Sequence, residues 1–228
     1  MNTSRFALTN CRLVLPDTVT QDKSIVIECG KIAGITDEGA LGSDVEKIDV
    51  GGRIVTPGLI DIHTHGAVGH TFNDPTAEAF DAITRENARR GVTSLLATLA
   101  TAPIPDLARC FDFCRAWMKK SHAGAQILGA HLESPYINPA QKGALDPANI
   151  RLPNDGSVDA ILEHRDVLKI FVLAPELPGA LDLVAKLARA GIIPAAGHSS
   201  AKDEHILAAM RVGLRHVTHI WSAMSSVV

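Results

Sequence analysis

The 228-residue chain lacks a long apolar run: nowhere does it hold the roughly 18 consecutive apolar residues that a membrane-spanning helix requires. Its start, MNTSRFALTNCRLVLP, has no basic stretch followed by an apolar core, so no secretory leader is read there. Excess charge of one sign is missing as well. With 22 Lys and Arg against 25 Asp and Glu the formal charge is -3, and no basic stripe runs along the chain, which argues against nucleic acid as a partner. Cysteine is scarce. Cys11, Cys29, Cys110 and Cys114 show no CxxC spacing, which argues against a cysteine metal site or a disulfide pair. Cys110 and Cys114 stand one helical turn apart beside Phe111, Phe113 and Trp117 and read as small buried hydrophobes. With 46% apolar residues the expectation is a soluble, cytoplasmic protein with a sizeable core.

What is present changes character along the chain. Residues 5 to 56 alternate and turn as short strands do, and read as a small β-sandwich-like domain over 1–56. From residue 54 apolar strands alternate with amphipathic helices, the pattern of a parallel sheet built from βα units. Strands are expected at 54–65, 93–101, 127–134, 168–176, 192–199 and 216–222. Gly91, Gly191 and Gly213 are expected to end helices, and Gly66 and Gly69 to lie in turns. Six successive units with polar residues at the strand ends predict the (β/α)8 TIM-type barrel of an α/β protein over 57–228, with chemistry at its C-terminal rim. Only six of the eight strands are visible, so the barrel is expected to be incomplete at its C-terminus and the chain a piece of a longer protein.

The stretch GLIDIHTHG places two histidines at the end of the first barrel strand. Residues two apart in a strand point to one face and lie about 6.6 Å apart along it, so His63 and His65 can reach one cation. Other strand ends add donors: Glu133 in HLES, His198 in GHSS, and His216 and His219 in HVTHI. Imidazole and carboxylate suit zinc and other divalent first-row ions. His131 is a weaker candidate that supports the site, and His205 reads as a solvated helix residue.

In order, VTPGLIDIHTHG, GVTSLLATLAT, HLESPYINPAQKGA, LAPE, GHSSA and HVTHIWSAM resemble the motifs of the N-acetylglucosamine-6-phosphate deacetylase family of the amidohydrolase superfamily. The resemblance implies a metal-dependent hydrolase that removes an acetyl group from an amino-sugar phosphate, with one or two divalent ions, zinc being expected. It implies a tightly held ion on Glu133, His198 and His219, and a second on His63 and His65 with Glu133 shared. It further implies substrate contacts at Ala144, Leu145, Ser222 and Ala223, and a homodimer. Lys169 lies too early in its strand to serve as the carboxylated lysine that bridges two metals in many relatives. The family's general base, an aspartate ending strand eight, has no counterpart in this sequence. Asp61 shares the histidines' face but lies deeper, where orienting a ligand is its natural role.

The chain also departs from the family pattern. KGAH becomes KGAL, with Leu145 in place of a histidine that contacts sugar, and FNAM becomes WSAM, with Ser222 in place of an asparagine. Two rival readings therefore stand beside the deacetylase: another amidohydrolase, such as an N-acyl-amino-acid deacylase or a cyclic amidase, and a non-catalytic metal-binding fragment.

Overall fold

The change of pattern near residue 54 is also where the backbone changes hydrogen-bonding partners. In the computed structural model, which describes residues 5–225, contacts divide the chain into two units, Met1–Gly58 and Leu59–Val228. The expected first barrel strand is interrupted there. Ile54–Val55 pairs with Arg12–Val14 inside the first unit, and the barrel strand starts at Leu59. Pro57 has no amide hydrogen for a ladder, which accounts for the break between them.

The first unit is built of strands with one short 3-10 turn at Glu38–Ala40. Strands β1 (Arg5–Thr9), β2 (Arg12–Val14), β3 (Val19–Thr20), β4 (Lys23–Glu28), β5 (Lys31–Asp37), β6 (Glu46–Asp49) and β7 (Ile54–Val55) form a four-stranded sheet of order β5-β4-β1-β6 and a three-stranded sheet of order β3-β2-β7. Alternation puts Ala7 and Val26 into one small core with Val45, and Cys11, Leu13 and Ile25 into another.

The second unit is a parallel sheet with helices in its crossovers. Strand β8 (Leu59–Thr64) is followed by a hairpin of β9 (Gly66–Ala67) and β10 (His70–Thr71), then helix α1 (Ala77–Arg89), β11 (Val92–Leu99), α2 (Ile104–Met118) and β12 (Gln126–Glu133). The chain continues through α3 (Val158–Leu162), β13 (Leu168–Leu173), α4 (Ala180–Arg189), β14 (Ile193–Ala196), α5 (Asp203–Val212) and β15 (His216–Val217). The order β15-β14-β13-β12-β11-β8 follows the chain, and the sheet curls as part of a TIM-type barrel.

The helices form where apolar spacing and caps agree. Thr76 caps α1 by accepting from Ala79 N–H at 3.2 Å, and the helix buries Ala79, Phe80 and Ile83. Helix α2 buries Leu107, Cys110, Phe111, Cys114 and Trp117, a stripe one helix face wide. Phe111 is fully buried, and burial of such a ring contributes on the order of 1.5–3 kcal/mol. Burial also pushes the thiols of Cys110 and Cys114 up to about 11 and about 12, so both behave as apolar groups. Gly91, Gly191 and Gly213 all follow helices with positive φ, as expected. Gly66 has a different reason from the expected turn: a Cβ there would stand 2.0 Å from the His70 carbonyl oxygen, so glycine is what lets the hairpin close.

Three of the later strands are shorter than expected: the fourth ends at Leu173 rather than 176. The fifth covers Ile193–Ala196, and the sixth only His216–Val217, because His198, His219, Trp221 and Ala223 take left-handed φ values of 48°, 33°, 81° and 50°. These turns redirect the chain at the rim. At the opposite end of the sheet Arg115 grips Asp166 with two nitrogens at 2.6 and 2.8 Å and reaches Asp112 at 2.5 Å, while Lys169 Nζ donates to the Asp166 carbonyl at 2.8 Å. Lys169 thus points to the floor. Among the described residues no helix is long and apolar enough to cross a membrane.

Candidate metal centre

Glu133 ends β12 in the middle of the sheet, 2% exposed, and four imidazoles converge on its carboxylate. His219 Nε2 lies 2.6 Å and His198 Nε2 3.1 Å from Oε1. From the other side His65 Nε2 lies 2.7 Å from Oε2 and His63 Nε2 3.7 Å from Oε1. The five residues form two triads that share the carboxylate: His63, His65 and Glu133, and Glu133, His198 and His219.

Neighbouring elements place each ring. His63 is in β8 and His65 just after it, with the strand end anchored by Thr64 N–H donating to Thr98 Oγ1 at 2.9 Å. Asp61 accepts from the His63 backbone N–H at 2.9 Å, so it fixes main chain rather than imidazole. His198 and His219 follow β14 and β15 in left-handed turns, a conformation that costs a residue with a Cβ and persists only where surroundings hold it. His198 Nδ1 donates to the Gln141 carbonyl at 2.8 Å and His219 Nδ1 to the Ser222 carbonyl at 3.0 Å.

Those two bonds carry the electrostatic argument. A carbonyl can only accept, so each Nδ1 bears a proton and each ring turns its Nε2 to Glu133. The two Nε2 atoms lie 3.1 Å apart beside a carboxylate oxygen, an arrangement that calls for positive charge among them, a proton or a metal cation. Burial alone raises the Glu133 pKa, and hydrogen bonds from His198, His219 and His65 overcome it and hold the carboxyl well below the usual range. The same contact raises His219. The donor set therefore fits a divalent first-row cation, which this family of side chains binds through imidazole nitrogen and carboxylate oxygen.

The other expected residues fall into place unevenly. His131 is fully buried behind His63, their ring centroids 4.8 Å apart; its Nδ1 donates to the Ile62 carbonyl at 2.7 Å, and burial holds it down to about 4. His216 is half-buried in an apolar cavity of about 450 Å³ with Ile62, Leu128, Lys169 and Ile193, and does not join the triads. His205 accepts from Lys202 N–H at 3.0 Å at the start of α5, and His122 stacks on Trp117 at 3.7 Å. The segment 143–145 reaches the centre: a Cβ on Gly143 would lie 3.6 Å from both His198 Cε1 and Ala223 Cβ. Ala144 is exposed and Leu145 buried there, while Ser222 acts through its main chain, accepting from His219 Nδ1 and donating to the His219 carbonyl at 2.9 Å.

Sequence reasoning missed Glu176, in LAPE, whose carboxylate accepts from Asn138 Nδ2, Ser199 Oγ and Ser200 N–H. A carboxylate just past a strand end was its one visible signal. Gln141 was missed too, and its part is played by a carbonyl that any residue carries.

Comparison with known proteins identifies the family and the fold. Residues 54–227 match the model of the Amidohydrolase family. The chain is 32% identical over 224 residues to an N-acetylglucosamine-6-phosphate deacetylase of Haemophilus influenzae, covering 98% of this chain and 58% of that protein. Its fold resembles the crystal structure of the Pasteurella multocida N-acetylglucosamine-6-phosphate deacetylase, with a TM-score of 0.91 at 27% identity over 97% of this chain and 58% of that one. It also resembles a mutant Mycobacterium smegmatis N-acetyl-D-glucosamine-6-phosphate deacetylase in complex with N-acetyl-D-glucosamine-6-phosphate, with a TM-score of 0.87 at 26% identity, covering 99% of this chain and 58% of that one. The chain thus spans a little over half the length of these relatives.

Proposed function

Because the chain belongs to the amidohydrolase family, we propose that it provides the metal centre of an amide hydrolase acting on an N-acetylated amino-sugar phosphate, N-acetylglucosamine 6-phosphate first among them. The observation that carries this is the convergence of four imidazole Nε2 atoms on the buried Glu133 carboxylate. Glu133, His198 and His219 would hold one ion, zinc by the chemistry of the donors, and His63 and His65 would hold a second with Glu133 shared. A divalent ion held there lowers the pKa of bound water towards neutrality and polarises an amide carbonyl.

Glu133, kept ionised by its hydrogen bonds, supplies negative charge to either triad. Ala144, Leu145, Ser222 and Ala223 belong to the rim segments that flank His198 and His219, where a sugar would lie. Asp61 accepts from the His63 amide, which fits a part in holding the strand end that carries the histidines. The protein is read as a soluble, cytoplasmic homodimer without a nucleic-acid partner.

Leu145 favours a second reading. An apolar side chain at a rim segment beside His198 offers a sugar hydroxyl no hydrogen bond, and suits a different N-acylated amine. One experiment addresses both: metal content of the purified chain, followed by calorimetric titration with N-acetylglucosamine 6-phosphate and a panel of N-acyl amines, with acetate release measured alongside. At least one divalent ion per chain and preference for the sugar phosphate are expected. Absence of bound metal after purification in zinc-replete medium overturns the centre, and preference for another N-acyl amine overturns the substrate.

A further inference from the structure

Glu176 lies beyond the end of β13 and touches none of the four converging imidazoles, yet three loops meet on its carboxylate. Oε1 accepts from Asn138 Nδ2 at 3.0 Å and from Ser200 N–H at 2.6 Å, and Oε2 accepts from Ser199 Oγ at 2.6 Å. Asn138 belongs to the loop after β12, and Ser199 and Ser200 to the loop after β14. Both loops hold His198. Asn138 N–H donates to the His198 carbonyl at 3.0 Å, and the Asn138 side chain accepts from Ala140 N–H at 2.9 Å, which starts the turn that delivers the Gln141 carbonyl to His198 Nδ1.

The second loop closes the ring. Gln141 Nε2 donates to Ser200 Oγ at 3.1 Å, and Ser199 N–H donates to the Ala223 carbonyl at 3.2 Å, next to the Ser222 carbonyl that receives His219 Nδ1. His198 itself sits at φ 48°, where a residue with a Cβ stays only if its neighbours hold it. A carboxylate that accepts three donors, one of them a short hydroxyl bond, is the strongest tie available between two such loops.

We propose that Glu176 is a positioning residue for the metal centre: its carboxylate ties the loops after β12 and β14 together so that the His198 imidazole keeps its Nδ1–H on Gln141 and its Nε2 towards Glu133. The inference rests on the metal-centre reading above. Replacing Glu176 by Ala leaves the Asn138 amide, the Ser199 hydroxyl and the Ser200 N–H without their acceptor. Groups that orient a metal-ligating histidine typically contribute about 10- to 100-fold in metal affinity.

The test is cobalt(II) titration of the purified 228-residue chain, followed by visible d–d absorption and by chelator competition, with thermal unfolding of each metal-free variant recorded beside it. Glu176→Ala is expected to weaken cobalt binding about 10- to 100-fold and to alter the absorption band. Glu176→Gln keeps one oxygen for Asn138 and Ser200 and a nitrogen for the Ser199 hydroxyl, and is expected to recover at least about half of that loss on a logarithmic scale. Wild-type affinity and spectrum in Glu176→Ala overturn the proposal, and so does an equal loss in both variants. Should Glu176→Ala show no cooperative melt, Ser199→Ala decides: a loss of about threefold or more with the same spectral change supports the tie, and unchanged binding overturns it. Cobalt binding by the wild-type chain that His198→Ala does not disturb would instead refute the centre itself and this inference with it.

Discussion

Two charged clusters occupy opposite ends of one sheet, and they solve the same electrostatic problem differently. At the floor, Arg115 meets Asp166 with a planar fork and reaches Asp112, opposite charges that satisfy one another in contact with water. At the rim, one buried carboxylate faces four imidazoles, two of which have their Nδ1–H on main-chain carbonyls and turn Nε2 towards it. The floor is complete without a ligand. The rim gathers donors that could hold a cation, at the end of the sheet where barrels of this kind carry their chemistry.

The rim is itself uneven, and that difference yields the largest expected effect. His198 and His219 are oriented by the Gln141 and Ser222 carbonyls, whereas His63 Nδ1 and His65 Nδ1 are buried with no hydrogen-bond partner among the described residues. Oriented ligands bind metal more tightly. His198→Ala is expected to raise the metal dissociation constant by more than about 100-fold, beyond what loss of an orienting group costs. The double variant His63→Ala, His65→Ala is expected to keep one ion per chain at Glu133, His198 and His219. Elemental analysis after dialysis reads both, and loss of all metal from the double variant would reverse the ranking of the two triads.

The same comparison shows which parts of the molecule were legible in the sequence. The spacing of Leu107, Cys110, Phe111 and Cys114 announced a helix, and the period of two at His63 and His65 put both on one face, because those signals are local. Glu133, His198 and His219 were legible as polar residues where apolar strands end. The orienting carbonyls were not, since every residue carries one. Nor was the role of Glu176, whose partners Asn138, Ser199 and Ser200 come from loops that only the fold brings together. The sixth strand read too long because His219, Trp221 and Ala223 take left-handed φ without being glycine. The first read too long because the pattern runs through Pro57 while the hydrogen bonds do not.

The floor should respond weakly to the same treatment. Arg115→Ala is expected to lower the unfolding free energy by about 1 kcal/mol, as measured by urea denaturation, because its partners are solvent-exposed, and to leave metal content unchanged. A loss above about 3 kcal/mol would mean that the floor behaves as a buried network, and the contrast with the rim would fail.

The smallest expected effect is on acid stability, and its sign follows from Asp166. Hydrogen bonds from Arg115 hold the Asp166 carboxyl down to about 2 from an ordinary 3.8, against burial, which raises it. Between those values the unfolded chain binds a proton that the folded chain refuses, so the pair stabilises the fold above about pH 4 and that contribution is lost as pH falls towards 2. At an exposed site it amounts to less than about 1 kcal/mol. Asp166→Asn removes this titration, so its stability relative to wild type should be lowest near pH 6 and should recover as both are taken towards pH 2, in denaturation curves recorded at low salt. A difference that stays constant across that range would show that the Arg115–Asp166 contact is carried by packing of the arginine stem rather than by its charge.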